Sequence, residues 1–299
     1  MNSIQQYSKC ENLGQGTYGK VYKGINKKTQ EVVAIKEIIH SEEEKKEGIQ
    51  STTLREMSVL LQFRNHPHIV ELKEVILDET DYKQYLIMEF IDTDLRKMID
   101  KHKMTEKGLM DEHLVKRLLL HILRGLYALH SQLIFHRDLK PANILVQNGV
   151  AKLGDFGLAK PIGYPINRTH TKEVQTLWYR APELLLGHFK YSPALDIFSL
   201  GCIFYEMLVG DALFKGNSEI DQLFRIFQFM GTPLEWEGFK SMPYYSARFP
   251  QFHAQAEQHL SSYNIRREAK DLLLKMLQID STRRITAKEA INDIYFSII

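Results

Sequence analysis

The residues best suited to chemistry form one short stretch, residues 136–143, which reads His-Arg-Asp-Leu-Lys-Pro-Ala-Asn. Its side chains can accept protons, carry charge or bind ions, and its proline prevents a helix. Apolar runs flank it at Leu133–Phe135 and Ile144–Val146, and these runs predict short buried strands. Charged groups held between buried strands must be paired or used, because an unpaired buried charge is costly. A solvated turn is the alternative, but the order H-R-D-L-x-x-x-N favours a reactive loop.

This order resembles the catalytic loop of protein kinases, and the resemblance implies phosphoryl transfer. In that family's pattern Asp138 accepts the proton of the substrate hydroxyl, Lys140 faces the transferred phosphoryl group, and Asn143 holds Mg²⁺. Arg137 is expected to contact the activation segment, the stretch that follows the catalytic loop. The resemblance implies an α+β, bilobal protein kinase fold, with a small β-rich N-lobe that carries one key helix and a larger, mainly helical C-lobe. It also implies ATP and Mg²⁺ as cofactors.

The composition is that of an ordinary globular protein. The chain has 299 residues, 44% hydrophobic and 25% charged, enough for one large domain or two lobes. A net charge of +2 gives no reason to expect nucleic acid or a membrane as a partner. The two cysteines, Cys10 and Cys202, lie far apart and predict neither a disulfide framework nor a zinc site. With a polar start and no long apolar run, the chain is expected in the cytoplasm, the nucleus or both.

Residues 13–21 carry glycines at the spacing G-x-G-x-x-G-x-V. Dinucleotide-binding folds use a similar spacing, but there a helix follows, whereas residues 20–24 alternate and are rich in β-forming types. Glycines in a hairpin let backbone amides approach phosphate oxygens, although the motif alone fits an ordinary Gly-rich hairpin equally well. Under the resemblance, Gly14, Gly16 and Gly19 cover the phosphates, and Leu13 and Val21 cover adenine.

A second charged position, Lys36, ends the sequence Val-Ala-Ile-Lys in the strand-like segment 31–39. A lone lysine in a strand is usually just exposed, but here it matches the lysine that pairs the α- and β-phosphates. Such a lysine needs a carboxylate to orient it. Apolar residues of segment 51–63 recur at helical spacing, Ser51 or Thr52 can cap that helix, and Glu56 lies within it. Lys36 and Glu56 are therefore predicted to form an ion pair between strand and helix.

A third motif follows the catalytic loop, where a short predicted strand ends in Asp155-Phe156-Gly157. By the resemblance Asp155 holds Mg²⁺ against the β- and γ-phosphates, and Phe156 packs under the helix that carries Glu56. Residues 158–175 contain prolines, a glycine and several polar residues, which predicts a mobile segment. That segment is closed by Ala-Pro-Glu, whose Glu183 is expected to pair with Arg284.

Residues 50–56, Gln-Ser-Thr-Thr-Leu-Arg-Glu, resemble the Pro-Ser-Thr-Ala-Ile-Arg-Glu helix of cyclin-dependent kinases, the face that a cyclin grips. Gln50 replaces the rigid proline of that pattern, which leaves the identity of the cyclin open. Residues 176–183 and 216–224 also resemble that family. The resemblance implies a serine/threonine kinase that a cyclin activates and that phosphorylates Ser/Thr-Pro sites. Without a cyclin, Glu56 is expected to lie away from Lys36.

A buried strand and a connector are predicted at residues 85–92. The resemblance makes the connector the hinge, where the backbones of Glu89 and Ile91 bond adenine, and Asp94 approaches the ribose. Met88 falls at the gatekeeper position. The predicted ATP-binding residues are Leu13, Gly14, Gly16, Gly19, Val21, Ala34, Lys36, Glu89, Ile91, Asp94 and Leu145. The predicted domains are an N-lobe at residues 1–89 and a C-lobe at residues 90–299.

Regulation is predicted at two places. Thr17 and Tyr18, at the tip of the Gly-rich hairpin, take inhibitory phosphates in the family, which would add negative charge beside ATP. Thr171 lies where the family carries an activating phosphothreonine, which a separate activating kinase would add, and Thr169 is a nearby competitor. The cations placed by motif to receive that phosphate are Arg55, Arg137 and Lys160.

The motifs fit two function classes. One is an active cyclin-dependent kinase, and the other is a catalytically idle scaffold that binds a cyclin and a nucleotide. Loss of a reactive residue would favour the scaffold, yet Lys36, Asp138, Asn143 and Asp155 are all present.

Val174, Gln175 and Arg180 match the family's pocket for a proline after the target residue.

Overall fold

The computed structural model describes residues 3–16, 19–38, 51–78, 83–105, 108–161, 177–188 and 192–297, without the side chains of residues 15, 16, 51, 52, 160 and 161. In these ranges no helix is both long and apolar enough to span a bilayer. The predicted α+β, two-lobed arrangement is present, because an antiparallel sheet with one helix precedes a larger, mainly helical part. The domain boundary after Glu89 stays a prediction.

Five strands form the N-terminal sheet. They are β1 (Tyr7–Gly16), β2 (Gly19–Asn26), β3 (Val32–Ile38), β4 (Leu72–Asp78) and β5 (Lys83–Glu89), in the order β1-β2-β3-β5-β4. The interior strands β3 and β5 are rich in β-branched and aromatic residues, which suit a pleated, buried surface. Lys36 pairs with Val21 of β2 on one side and with Leu86 of β5 on the other. The register therefore places Lys36 beside the Gly-rich hairpin.

Helix α1 (Ser51–Gln62) ends one residue before the predicted limit. Its buried residues recur at helical spacing and face the protein, namely Thr53, Glu56, Val59 and Leu60. Leu54 and Leu61, seven residues apart and so on one line of the helix, are 48% and 52% exposed. The helix thus aims its carboxylate inward and leaves two leucines outside.

Most of the remaining chain is helical. The helices are α2 (Leu95–Lys103), α3 (Glu112–Ser131), α4 (Pro182–Leu185), α5 (Ala194–Val209), α6 (Glu219–Met230), α7 (Ala256–Ser261), α8 (Arg267–Met276), α9 (Ala287–Ile291) and α10 (Ile294–Ser297). Short 3-10 turns lie at Ile4–Gln6, Pro141–Asn143, Leu177–Tyr179 and Phe239–Ser241. Helices α3 and α5 supply the largest share of the buried core. They form the scaffold on which the loop at residues 136–143 rests.

Five small strands lie in the rest of the chain that the structure describes, namely β6 (Thr93–Asp94), β7 (Ile134–Phe135), β8 (Ile144–Gln147), β9 (Val150–Leu153) and β10 (Lys160–Pro161). Of these, β7 and β8 flank that loop, as the apolar runs predict. β7 pairs with β10, whereas β8 lies between β6 and β9. The predicted strand at Leu133–Phe135 is one residue too long, because Leu133 adopts a left-handed φ of 56° and is 54% exposed.

Two histidine rings join α3 to β9. His68 and His121 are stacked, with ring centroids 4.3 Å apart. The His68 ring donates from Nδ1 to the carbonyl of Ala151, and the Ala151 amide donates to Nδ1 of His121. Burial, followed by the neighbouring His68 and Arg124, lowers the pKa of His121 to about 4. Both rings are therefore neutral near pH 7.

We expect this pair to make folding stability depend on pH. The pKa of His121 is lowered in the folded state, so the unfolded chain takes up the proton first as the pH falls below 6.5, and stability is lost down to about pH 4. After allowance for partial exposure, the loss between pH 7 and pH 5 is about 1 kcal/mol. Urea unfolding at both values measures it. His121→Asn keeps an acceptor for the Ala151 amide without titrating, and an unchanged pH dependence in that variant would contradict the assignment.

Candidate active site

A cavity of about 550 Å³ lies between the N-terminal sheet and the helical part. All but one of the predicted ATP-binding residues line it, and so do Glu56, Asp138, Lys140, Asn143 and Asp155. Gly16 is described only as the last residue of β1, where it pairs with Gly19. Further lining residues that the sequence did not single out are Val70, Phe90, Asp92, Thr93, Lys97, Ala142, Gly154 and Leu158. Only the folded chain brings these scattered positions to one surface.

The roof of the cavity requires glycine at residue 19. A Cβ atom there would lie 2.3 Å from the carbonyl oxygen of Glu37, in the adjacent strand β3. No side chain fits at that distance, so the close contact of β2 with β3 depends on the missing side chain. The spacing of the glycine motif thus has a packing reason as well as its predicted role at the phosphates.

The predicted ion pair between Lys36 and Glu56 is present. Lys36 Nζ lies 2.7 and 2.8 Å from the two carboxylate oxygens of Glu56, and 3.6 Å from Oδ1 of Asp155. Lys36 and Glu56 are 8% and 3% exposed. Burial disfavours the charge on Lys36, but the two carboxylates outweigh it and raise its pKa above the ordinary value. Lys36 is therefore a fixed positive charge inside the cavity.

One sequence expectation about this pair is wrong for the chain alone. Glu56 was expected to lie away from Lys36 without a cyclin, yet the structure has the pair closed in a single chain. The physical reason is that both groups are buried. With α1 packed against the sheet, the two groups lie in the core, where charges without a partner are costly and pairing is favoured.

The loop at residues 136–143 is held by Asp196, a residue that no motif in the sequence singled out. Asp196, at the start of α5 and fully buried, accepts hydrogen bonds at 2.9 Å from the backbone amides of His136 and Arg137 and from His130 Nε2. Burial raises the pKa of Asp196, but the hydrogen bond from His130 and the neighbouring charges outweigh it and lower the pKa. The available signal was a carboxylate in the first turn of a mostly apolar helix. Its distant partners could not be derived from local pattern.

The carboxylate of Asp138 faces the cavity with two neighbours. Lys140 Nζ lies 2.8 Å from Oδ2, and the Asn143 amide donates to the same oxygen at 3.2 Å and to the Asp138 carbonyl at 2.8 Å. These contacts fix the orientation of Asp138 and of the Asn143 amide group. With its nitrogen committed to Asp138, the oxygen of the Asn143 amide is turned the other way and can serve as a ligand.

The donor set beside Asp138 fits a hard divalent cation. Asp155 offers a carboxylate whose side chain is 45% exposed, and Asn143 offers an amide oxygen. Burial raises the pKa of Asp155, but Lys36, His136 and Lys140 together lower it, so the group is ionised. Across the described ranges, no three His, Cys, Asp or Glu residues cluster for a metal. A cation here would take its remaining ligands from phosphate or water, as Mg²⁺ does.

Asp155 is set in place by the residues around it. Its φ is 57°, a left-handed conformation that is unusual outside glycine and recurs at functional sites. The next residue, Phe156, is fully buried and packs on the His136 ring with centroids 5.1 Å apart. His136 Nε2 lies 3.0 Å from the carbonyl of Gly154. The Asp-Phe-Gly turn and the catalytic loop are therefore one packed unit.

The segment after the undescribed residues 162–176 is fastened to the helical part. Tyr179 donates to Oε2 of the buried Glu206 at 2.6 Å, and Arg96 Nη2 lies 2.6 Å from both the Tyr179 hydroxyl and Oε1 of Glu206. Arg180, predicted to border the proline pocket, pairs with Glu219 at 2.6 Å. The predicted pair of Glu183 with Arg284 is present as two bonds of 2.8 and 3.0 Å.

The predicted regulatory residues are only partly covered by the structure. Thr17, Tyr18 and Thr171 lie outside the described residues, as do Gln50, Thr169, Val174 and Gln175. Arg55 is half-buried on α1, and Arg137 donates to the carbonyl of Leu158 at 3.3 Å. The backbone of Lys160 pairs with Phe135, two residues before Arg137. Arg137 and Lys160, two of the three residues predicted to bind the phosphate on Thr171, therefore belong to neighbouring chain segments.

A family model described as protein kinase domain matches residues 7–296, which is nearly the whole chain. The match spans the N-terminal sheet, the cavity and the helical part together. Kinases of this kind transfer a phosphoryl group from ATP, bound with a divalent metal ion, to proteins. The folded chain presents a buried lysine–glutamate pair, a carboxylate with an adjacent lysine, and oxygen donors for a cation around one cavity. The chain therefore belongs to the protein kinase family.

Proposed function

We propose that this protein is a cyclin-dependent serine/threonine kinase that transfers the γ-phosphate of ATP to Ser/Thr-Pro sites. The observation that carries the proposal is the catalytic loop geometry, in which Lys140 lies 2.8 Å from the Asp138 carboxylate inside the cavity. The ammonium group of Lys140 can neutralise charge on the transferred phosphoryl group while Asp138 takes the hydroxyl proton. We further propose Mg²⁺ as the metal, because its preferred ligands are carboxylate and amide oxygens completed by phosphates.

The division of work among the residues follows from their contacts. Asp138, held by Lys140 and Asn143, accepts the proton of the incoming hydroxyl. Lys36, fixed by Glu56, places positive charge at the phosphates, and the backbone at Gly14 and Gly19 covers them. Asn143 and Asp155 would hold Mg²⁺, which supplies charge neutralisation when bound. Positioning and electrostatics thus account for nearly all of the catalysis.

A cyclin partner is supported by the outer face of α1. Leu54 and Leu61 lie on one line of that helix and are about half exposed, while the opposite face carries the buried Glu56. Apolar anchors at this spacing suit a partner that packs against a helix. Because the ion pair is closed in the single chain, we propose that the cyclin stabilises this arrangement relative to open ones.

The proposal is tested by phosphate transfer to matched peptides that differ only in Ser-Pro, Ser-Ala and Tyr-Pro, with and without added cyclins. We expect transfer to the Ser-Pro peptide and an increase on adding one cyclin. No transfer to any peptide, together with intact nucleotide binding, would favour a scaffold. Transfer to Ser-Ala as fast as to Ser-Pro would refute the proline preference.

Thr171→Ala is expected to lower the activity of the cyclin complex by at least about tenfold, the effect of losing one charge-assisted hydrogen bond. A phosphate on Thr171 would bring Arg55, Arg137 and Lys160 to one group and so order the activation segment. Lys160 offers a point charge where an arginine would offer a fork, so Lys160→Arg should sharpen the dependence on phosphate. Mass spectrometry should find the phosphate on Thr171, and Thr169→Ala is the matched control. A fully active Thr171→Ala complex would contradict this mechanism.

Two smaller proposals accompany this function. A phosphate on Tyr18 should lower activity by repelling the phosphates of ATP, and equal rates of the phosphorylated and dephosphorylated forms would refute it. We also propose a cytoplasmic or nuclear location, supported by the free thiols of Cys10 and Cys202, which suit a reducing compartment. Fluorescence microscopy of the tagged protein tests this.

A further inference from the structure

Lys152, a residue that no motif singled out, contacts the hinge. Its Nζ lies 2.6 and 2.8 Å from the two carboxylate oxygens of Glu89. Glu89 is the last residue of β5 and lines the cavity, whereas Lys152 belongs to β9 and is not among the described lining residues. The ion pair therefore joins the hinge to the helical part of the molecule, and its lysine is outside the lining of the nucleotide cavity.

Glu89 is held from a second direction as well. Its Oε1 accepts a hydrogen bond at 2.8 Å from the backbone amide of Glu71, and its own amide donates at 3.0 Å to the Glu71 carbonyl. The side chains of Lys152 and Glu89 are 22% and 19% exposed. Because both side chains are mostly buried, water screens this charge-assisted pair only weakly, and the pair restricts the position of Glu89.

The strand that carries Lys152 is itself anchored on the segment before β4. The Leu153 amide donates to the carbonyl of His68, and the Val70 amide donates to the carbonyl of Leu153, both at 2.9 Å. Lys152 is also the strand partner of Leu145, which lines the cavity. Strand β5, strand β9 and the segment before β4 thus meet at the Glu89 carboxylate. Glu89 of β5 lines the cavity, and β9 pairs with Leu145, which also lines it.

We propose that Lys152 is a positioning residue for adenine binding, because its ion pair with Glu89 holds the hinge backbone ready for the base. A hinge that is ordered before the nucleotide arrives loses little conformational entropy on binding, and such preorganisation raises the affinity. The inference rests on nucleotide binding by the proposed kinase. It does not depend on the choice of cyclin or protein substrate.

Lys152→Met tests this inference, with affinity measured by calorimetry for two probes, ADP with Mg²⁺ and adenosine alone. We expect both probes to bind about tenfold more weakly, the loss of one charge-assisted contact. Lys152→Arg should restore most of the affinity, since it keeps the charge and can bind a carboxylate with two bonds. Weaker ADP binding with unchanged adenosine binding would overturn the inference, because it would show a charge effect on the phosphates.

Kinetics and a double-mutant cycle separate positioning from a general structural effect. In Lys152→Met the KM for ATP should rise about tenfold, with kcat and the KM for the peptide little changed. Glu89→Gln combined with Lys152→Met should cost much less than the sum of the single changes, because one interaction links the two residues. Fully additive losses would overturn the inference.

Lys275→Met is the matched control, because Lys275 pairs with Asp293 at 2.8 Å in the helical part, away from the cavity. It should leave both nucleotide affinities unchanged. Normal nucleotide affinity in Lys152→Met would overturn the role of Lys152 but not the proposed kinase function. Increased kinase activity of that variant without a cyclin would have the same consequence. Wild-type protein that binds neither probe would overturn the kinase function together with it.

Discussion

Asp138→Asn is expected to reduce turnover by about two to four orders of magnitude, the usual contribution of a positioned acid–base group. Asparagine occupies the same space but cannot accept the substrate proton. It also leaves Lys140 without the carboxylate that lies 2.8 Å from its Nζ. The affinity for ADP should change little, because the hinge and the Lys36–Glu56 pair are untouched. Single-turnover phosphate transfer to the Ser-Pro peptide measures the chemical step.

The matched control is Asp271→Asn, which removes an exposed carboxylate on α8, 3.8 Å from Arg267. It should leave both turnover and folding stability within experimental error. Near-normal turnover of Asp138→Asn would mean that the hydroxyl proton leaves by another route, and the assignment of the catalytic loop would have to be abandoned.

Lys36→Met is expected to lower turnover to a similar extent and also to destabilise the protein. The change removes the charge that faces the phosphates and leaves Glu56, which is 3% exposed, without its partner. Breaking a buried ion pair by removing one member costs about 3–5 kcal/mol. The loss should be larger at pH 7 than at pH 5. Burial raises the pKa of Glu56, and in the variant the lowering effect of Lys36 is gone. As the pH falls, the folded variant therefore takes up a proton before the unfolded chain does, and its stability rises.

A second substitution separates these two effects. Lys36→Met combined with Glu56→Gln removes the unpaired carboxylate, so we expect most of the folding stability to return while turnover stays low. Urea unfolding and peptide phosphorylation on the same preparations measure both quantities. Lys73→Met, which removes a partly exposed pair between β4 and Glu31, the residue before β3, should cost at most about 1 kcal/mol. Recovery of turnover in the double variant would show that Lys36 acts only through stability.

Much of the fold could be predicted because its signals are local. The alternation after Gly19 indicates a strand, the apolar spacing of residues 51–63 indicates a helix, and α1 ends within one residue of that range. The catalytic loop is also a local pattern, since its proline excludes a helix and apolar runs flank it. Each of these features depends on neighbouring residues in the chain, so the sequence carries the information within a short window.

The contacts that assemble the site were decided by the tertiary structure alone. Asp196 binds backbone amides about 60 residues away, and Lys152 reaches Glu89 across 63 residues. Periodicity and spacing say nothing about such partners, because many carboxylates and lysines are available and only packing selects one pair. The closed Lys36–Glu56 pair also shows that sequence patterns do not determine tertiary contacts. The sequence predicted both partners, but whether they meet in the single chain depends on how α1 packs against the sheet, where burial penalises their separation.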